Sequence, residues 1–511
     1  MASERHVEDN KWCTLTAVCV ATFMLLIDIT IVNVALPDIS KSLHSTFSDL
    51  QWVIDAYALG LAALLLTWGS TSDRLGRRFI FVVGLGIFSA ASLCCALSTS
   101  PLMLNLARAV QGVGGAAMFA TSLALLASAF QGRERGTAVG IWGATIGAAV
   151  AIGPLVGGVL TEGIGWEAIF YVNIPIGIGA IYISLTRVAE SKDPNAGPTD
   201  WAGLVTFSVS LFLLIFALVR GNPEGWGSTL IVSFLVGAVV LMVIFVIVES
   251  RIRYPMFDLA LFRVPTFTGA CIAAFALSAS MFSLFLYLTL YIQNGLGYSP
   301  LQAGLRFLPL SLLSFFVAPI AGRLSARVPI RALMGSGMAL VGVAILLMRG
   351  LTASSGWTAL LAGFIVAGIG VALVNAPLAS TAVSVVPPER AGMGSGINST
   401  FRQVGIATGT AGLGALFQHL LSSRAEGPLA RVPAEALAQG RPPIPGAAAH
   451  HAYLALFTDA LNDLFLIAAI VAFAGAALSF ALIRQRDFAA VQAGAPPAAA
   501  SATEEPEVEA A

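Results

Sequence analysis

Fourteen apolar runs, each close to the length needed to cross a bilayer, follow one another along this 511-residue chain. They centre on residues 12–36, 50–70, 79–98, 102–130, 136–160, 168–187, 201–220, 228–249, 266–292, 302–322, 331–350, 357–385, 391–420 and 454–483. About 20 residues rising ~1.5 Å each cross a ~30 Å hydrocarbon core. Inside that core each segment must satisfy its own backbone hydrogen bonds, so runs of this length are read as helices. They lack the alternation over about 10 residues that a barrel strand needs. Charged residues make up only 11% of the chain, where soluble chains carry about a quarter, and this excludes a soluble globular class. The expected fold class is an all-α membrane protein with 14 transmembrane helices.

The basic residues give an orientation. With the N-terminus cytoplasmic, eighteen of the 27 Lys and Arg residues lie inside and six outside, while Arg108, Arg306 and Arg402 fall within spans. That excess predicts cytoplasmic N- and C-termini in a multi-pass protein of the cell membrane. All tryptophans except Trp142 fall near span ends, as interfacial anchors do. The polar N-terminus has no cleavage pattern, so the first run is read as a retained span. Net charge is zero, and no nucleic acid partner is expected. The five cysteines sit inside apolar runs without metal-ligand spacing, so neither a metal nor another cofactor is expected.

The chain also echoes itself. "GSTSDRLGRR" at 69–78 returns as "GRLSARVPIR" at 322–331, matching Arg74 to Arg327 and Arg78 to Arg331. "GRERG" at 132–136 returns as "PERAG" at 388–392, matching Arg135 to Arg390. Two echoes at nearly one offset predict two six-helix bundles, 12–190 and 261–485, after a cytoplasmic N-terminus of residues 1–11. Residues 191–260 are read as a linker carrying two extra spans, 421–453 as an extracellular loop, and 486–511 as a disordered cytoplasmic tail.

Three ionisable residues stand out because charge inside a span is costly. Asp28 lies ~12 Å, Asp55 ~8 Å and Arg108 ~10 Å below the outer ends of their spans. Two acids and one base thus reach similar depth from three helices of one half. A buried carboxylate stays ionised beside an arginine and takes a proton when that pairing loosens. Asp28 and Arg108 are the candidate proton-coupling pair; a static structural pair is the alternative. Asp55, close enough to the interface to be hydrated, Asn33 and Gln111 are the candidate substrate-binding residues. Asn33 lies ~140° around its helix from Asp28 and is set toward a neighbouring helix. Arg306 and Arg402 are expected to snorkel toward the span ends.

Glycines mark two further features. In the fifth span Gly143, Gly147, Pro154 and Gly158 share one face, with Gly153 and Gly157 beside it, which predicts a smooth, proline-kinked packing surface. The link between the second and third spans carries Gly69, Asp73, Arg74, Gly76, Arg77 and Arg78. Its glycines permit a tight turn, and Asp73 can meet an arginine or a helix N-terminus.

Together these motifs resemble the major facilitator superfamily, in particular its fourteen-helix drug:proton antiporter branch. "LIDITIVNVALP" is similar to the branch's first-helix signature, "GSTSDRLGRR" to the loop between helices 2 and 3, "LNLARAVQGVGGAA" to the helix 4 motif and "GPLVGG" to the helix 5 antiporter motif. "QNGLGYSPLQAGLRFLP" and "PERAGMGSGINSTFRQVG" are similar to segments of the second half. The resemblance covers about residues 12 to 485. It implies a major-facilitator-type fold, two six-helix bundles plus two inserted helices, and proton-driven export of lipophilic, often cationic drugs by rocking of the halves. It places Arg108 in proton transfer and Asp73 in a cytoplasmic charge latch. Two departures are Ala326 where the second half would repeat Asp73, and Glu167 where an arginine is usual. The partners implied are a drug-like small molecule, protons and the lipid bilayer, and the chain is expected to be monomeric. A proton-coupled nutrient importer and a membrane enzyme are the rival readings. No Walker A glycine frame precedes Lys11, Lys41 or Lys192, which excludes a P-loop pump.

Overall fold

A computed structural model describes residues 2–130, 132–192, 198–325, 327–386, 391–440 and 445–492. Among these residues every regular element is helical. The first half comprises α1 (Ala2–Leu43), α2 (Phe47–Leu75), α3 (Arg77–Ala96), α4 (Pro101–Ala129), α5 (Gly132–Gly163), the short α6 (Ala168–Tyr171) and α7 (Asn173–Arg187). A hairpin of α8 (Trp201–Glu224) and α9 (Thr229–Arg251) follows. The second half comprises α10 (Pro265–Leu277), α11 (Leu284–Leu290), α12 (Pro300–Leu324), α13 (Ile330–Leu347), α14 (Leu361–Ser384), α15 (Ala391–Arg424), the short α16 (Ala434–Ala438), α17 (Ala447–Leu482) and α18 (Gln485–Gln492). Two π-helical turns, Ser278–Phe282 and Tyr291–Gly295, flank α11 and extend α10 into one long span.

Helix starts follow from local chemistry. Thr46 and Asp49 form a capping box for α2, and Ser299 and Gln302 form another for α12. Ser100 caps α4 ahead of Pro101, while Asp200 and Ser228 cap α8 and α9. Thirteen spans pass on length and apolarity among the described residues, and α5 makes a fourteenth. It bends by 42° between Ala149 and Ile152, just ahead of Pro154, whose ring removes a backbone hydrogen bond from that turn.

In the first half α2 and α3 pack on α4, and α1 packs on α5 and α7. In the second, α12 and α13 pack on α14, and α10 packs on α15 and α17. Two seams join the halves, α2 against α15 and α5 against α12. The α8–α9 hairpin lies on the first seam. Trp52 of α2 packs on Phe212 and Phe216 of α8, and Asn222 of α8 donates a 2.5 Å hydrogen bond to the Ala415 carbonyl of α15. The second seam has no such strap.

The helices alternate in direction, so one end carries the arginine-rich α2–α3, α9–α10 and α12–α13 links. It is called the basic end below. At the opposite end the α5–α12 seam is closed. A Cβ on Gly158 would stand 2.7 Å from the Pro300 carbonyl, and one on Gly304 would overlap the Pro154 carbonyl. Glu162 accepts from Ser299 Oγ and, at 3.0 Å, from the Leu301 amide. Toward the basic end the same two helices part. Gly140, Gly143, Gly147 and Gly322 have nothing within 4 Å of a built Cβ, and Phe316 and Ile320 are exposed.

Several expectations need correcting. The glycine face of α5 is not one packing surface. Gly158 and Pro154 meet α12, Gly153 and Gly157 meet Thr30 and Ile31 of α1, and Gly143 and Gly147 meet nothing. The expected loop at 69–78 is mostly helix. Gly69 to Leu75 form the last turns of α2, and Gly76 alone, at φ 128°, turns the chain into α3. The loop expected at 421–453 is narrower: α15 runs on to Arg424, α17 starts at Ala447, and α16 lies between them. The tail begins with α18, where Asp487 accepts from the Thr266 amide and hydroxyl; residues 493–511 lie outside the described residues. So do Ala326 and Arg390, on which part of the internal echo rests. Trp166, expected as an interfacial anchor, is buried in the core, whereas Trp142 donates to Thr22 Oγ1 at 2.8 Å between α5 and α1.

The seam geometry predicts a contrast. Gly304→Leu should lower the detergent denaturation temperature, the overpacking costing about 1–3 kcal/mol, while Gly143→Leu should leave it unchanged. A similar loss for both would contradict the divergence of α5 from α12.

Candidate functional site

Asp28, in the middle of α1, is fully buried, and five elements of the first half converge on it. Its Oδ2 accepts from Arg108 Nη1 of α4 at 2.5 Å. Its Oδ1 accepts from Gln111 Nε2 at 2.9 Å and from Asn173 Nδ2 of α7 at 3.0 Å. Gln111 lies one turn along α4 from Arg108, so both present to α1 on one stripe; Gln111 Oε1 accepts from the same Nη1 at 2.7 Å. Gln111 Nε2 and Asn173 Nδ2 also reach Ser92 Oγ of α3, at 2.8 and 3.3 Å. Arg108 Nε donates to the Val53 carbonyl of α2 at 3.0 Å, and its guanidinium stacks 4.3 Å from the Tyr57 ring centroid. The Tyr57 hydroxyl in turn donates to the Leu25 carbonyl at 3.3 Å.

The close approach of these helices depends on glycine. A Cβ on Gly112 would overlap the Tyr57 carbonyl, so α4 could not bring Arg108 against α2 with any other residue there. The result is a charge pair in which both carboxylate oxygens and Arg108 Nε and Nη1 have partners, as a dry interior demands. Arg108 and Tyr57 also line a void of about 10 Å³ between the halves, roughly room for one water, closed from the second half by Gln403 and Ile406 of α15.

The other candidates scatter. Asp55 does not join the pair and does not face solvent. It is completely buried, neither carboxylate oxygen has a hydrogen-bond partner, and it lies within electrostatic range of Tyr287 of α11. One turn away, Gln51 Nε2 and Tyr287 Oη share the Thr410 carbonyl of α15, at 3.0 and 2.8 Å. Asp55 thus belongs to the closed seam. Asn33, half-buried, donates to the Ile29 carbonyl of its own helix at 3.0 Å. Asp73 meets Arg77 one turn on, at 2.8 Å, an ion pair local to the α2–α3 corner. Arg78 donates to the Val188 carbonyl, and Glu190 accepts from the Arg78 and Phe79 amides; Arg74 is exposed. Arg306 sits over the Tyr298 ring, and Arg402 donates to Asn375 Oδ1 at 3.1 Å. Neither residue is a bare snorkel.

Sequence reasoning missed Asn173, Ser92 and Tyr57. It also missed the closure of the opposite end by the loop before α17. Ser48 Oγ donates to Glu435 Oε1 of α16 at 2.5 Å, and Gln439 Nε2 donates to the Ser45 carbonyl at 3.2 Å. Asn294 and Tyr453 hold that loop to the second half through the carbonyls of Gln439 and Leu437.

The sequence profile of the Major Facilitator Superfamily matches residues 18–410. The chain belongs to that superfamily. Among its superfamily relatives is "Multidrug resistance protein Stp" of Mycobacterium tuberculosis, 37% identical over 82% of this chain and 78% of that protein. The "Tetracenomycin C resistance and export protein" of Streptomyces glaucescens is 34% identical over 80% and 76%. "Multidrug efflux pump LfrA" of Mycolicibacterium smegmatis is 31% identical over 84% and 86%. The superfamily fold is also met in a solved bacterial homologue of the human lysosomal transporter Spinster, in an inward-facing, unoccupied conformation. That structure aligns with a TM-score of 0.62 at 18% identity, covering 94% of this chain and 98% of that one. Membership places the chain among transporters rather than enzymes.

The buried pair yields a stability prediction. Arg108→Ala leaves Asp28 without its cation and should cost about 3–5 kcal/mol. Asp28→Asn combined with Arg108→Gln should recover much of that loss, because amides can still bond Gln111 and Asn173. Denaturation temperatures in detergent measure both. A double variant as unstable as Arg108→Ala would show that packing, not charge compensation, sets the cost.

Proposed function

We propose that this chain is a proton-coupled antiporter that exports lipophilic, cationic drug-like molecules by alternating access. The observation that carries this reading is the Asp28–Arg108 pair, buried inside one half beside the small void between the halves that Arg108 lines. The resistance and export named for the relatives support the direction of transport.

On this reading residues 12–190 and 261–485 are two rocking bundles, and 191–260 carries an accessory hairpin. The basic end faces the cytoplasm, since cations are retained on that side of a membrane. The form described is then closed outward by the α5–α12 and α2–α15 contacts and the α16 clasp.

Coupling follows from the geometry of the pair. Arg108 donates to the Asp28 carboxylate and also borders the void between the bundles. Rocking that draws α4 from α1, or a cation arriving beside Arg108, weakens the pair. A carboxylate stripped of its cation in a dry site takes a proton, and restoring the pair expels it. Alternation of these two states ties one proton movement to one reorientation. Asp55 is freed from the closed seam when the bundles part outside and meets cationic cargo there. Gln111 holds the Asp28 carboxylate in place.

Asp28→Asn should abolish proton-gradient-driven ethidium accumulation in inverted membrane vesicles while leaving the protein folded. Uptake at the normal rate would refute the coupling role, and loss of ethidium from the vesicles would favour an importer. Asp55→Asn should slow ethidium more than a neutral substrate; equal losses would remove its role in charge selection.

The clasp gives an independent check. Cysteines at positions 48 and 435, in a chain freed of its native cysteines, should stop efflux when bridged by a short reducible reagent and release it on reduction. Undiminished efflux with the bridge in place would mean that this end does not open.

A further inference from the structure

Away from the Asp28 centre, two buried acids meet where none of the described residues neutralises them. Asp200 is the N-cap of α8 and Glu249 lies in the last turn of α9, so the α8–α9 hairpin brings both to its base at the basic end. They are 2% and 4% exposed. One oxygen of each is used. Asp200 Oδ1 accepts from the Gly203 amide at 2.8 Å, and Glu249 Oε2 accepts from the Phe257 amide at 3.2 Å. The other two, Asp200 Oδ2 and Glu249 Oε1, have no hydrogen-bond donor. Both stand over the same point. A Cβ on Gly203 would lie 2.6 Å from Glu249 Oε1 and would overlap Asp200 Oδ2. The two side chains are within hydrogen-bonding reach of each other.

Among the described residues no cation compensates them. On the linker after α9, Asp258 adds negative potential at Glu249. The cations of the neighbouring elements, Arg251 on α9, Arg253 and Arg263 on the linker and Arg74 on α2, are all exposed, and none donates to either free oxygen. Two carboxylates that share a dry site with no cation do not both ionise; one proton between them turns the repulsion into a hydrogen bond.

We propose that Asp200 and Glu249 form a second proton-binding site, outside the transport pathway, in which one proton shared by Asp200 Oδ2 and Glu249 Oε1 fastens the base of the α8–α9 hairpin. The fastening reaches both halves. Thr199, next to Asp200, lies 3.4 Å from Thr71 of α2 through the hydroxyls. Phe257, held by Glu249, packs on Phe401 of α15. The hairpin strapped across the α2–α15 seam is therefore pinned at the basic end by a group that alkaline pH on that side would unpin. The proton adds no bond to transported cargo; binding it only replaces carboxylate repulsion with an O–H···O contact.

Amide hydrogen exchange of the whole protein in lipid nanodiscs tests this, with rates corrected for intrinsic pH dependence. In the native chain, protection of the first turn of α8 and of residues 252–258 should fall as pH rises from neutral to alkaline. Asp200→Asn keeps a capping side chain and supplies an N–H donor to Glu249, so it should hold protection constant across that range. Infrared spectra at neutral pH should show a protonated carboxyl band that disappears in Asp200→Asn combined with Glu249→Gln. Protection that does not change with pH in the native chain, or an unaltered carboxyl band in the double variant, would overturn the site. Because neither readout involves transport, the result stands apart from the exporter reading.

Discussion

The pair of Asp28 with Arg108 organises the first half of this transporter. Each charge would be prohibitive alone at lipid depth, and together they are tolerated because Gln111, Asn173, Ser92 and the Val53 carbonyl complete the shell. Satisfying that shell fixes the spacing of α1, α2, α3, α4 and α7, and glycines at the α2–α4 crossing let the backbones come close enough to do it. The same arginine, with Tyr57 stacked on it, also borders the void between the halves. Chemistry inside one bundle is thereby coupled to the contact between two.

Asp28 and Arg108 were legible in the sequence because a charge in an apolar run is costly and calls for a partner. Their supporting residues were not, because a serine, an asparagine or a tyrosine in a membrane helix is common and carries no comparable signal. Asp55 was legible as an acid but its surroundings were not: depth along one helix says nothing about which neighbour covers it, and Tyr287 and Thr410 arrive from the other half. The fourteen spans followed from run length alone, which is why their number survived while several ends shifted by a turn.

The glycine face of α5 teaches a different lesson. A stripe of small residues reads the same whether a helix lies against it or not. Gly158 and Gly143 differ only in what faces them, and the bend ahead of Pro154 decides that. Asp200 and Glu249 were passed over for the opposite reason, since acids at span ends ordinarily face water. Only the fold reveals that the hairpin turns them toward each other. The Ala-, Pro- and Gly-rich stretch before α17 likewise hid a short helix that bonds both halves.

The two seams meet the bilayer on unequal terms. Along α2 and α15 the hairpin keeps protein against protein, with α9, the most apolar of the spans, turned outward as a cover. Along α5 and α12 no hairpin of the described residues lies outside the two halves, so that seam faces the acyl chains directly. Lipid tails thus border one seam and not the other, and the composition of the surrounding leaflet bears on a single edge of the molecule.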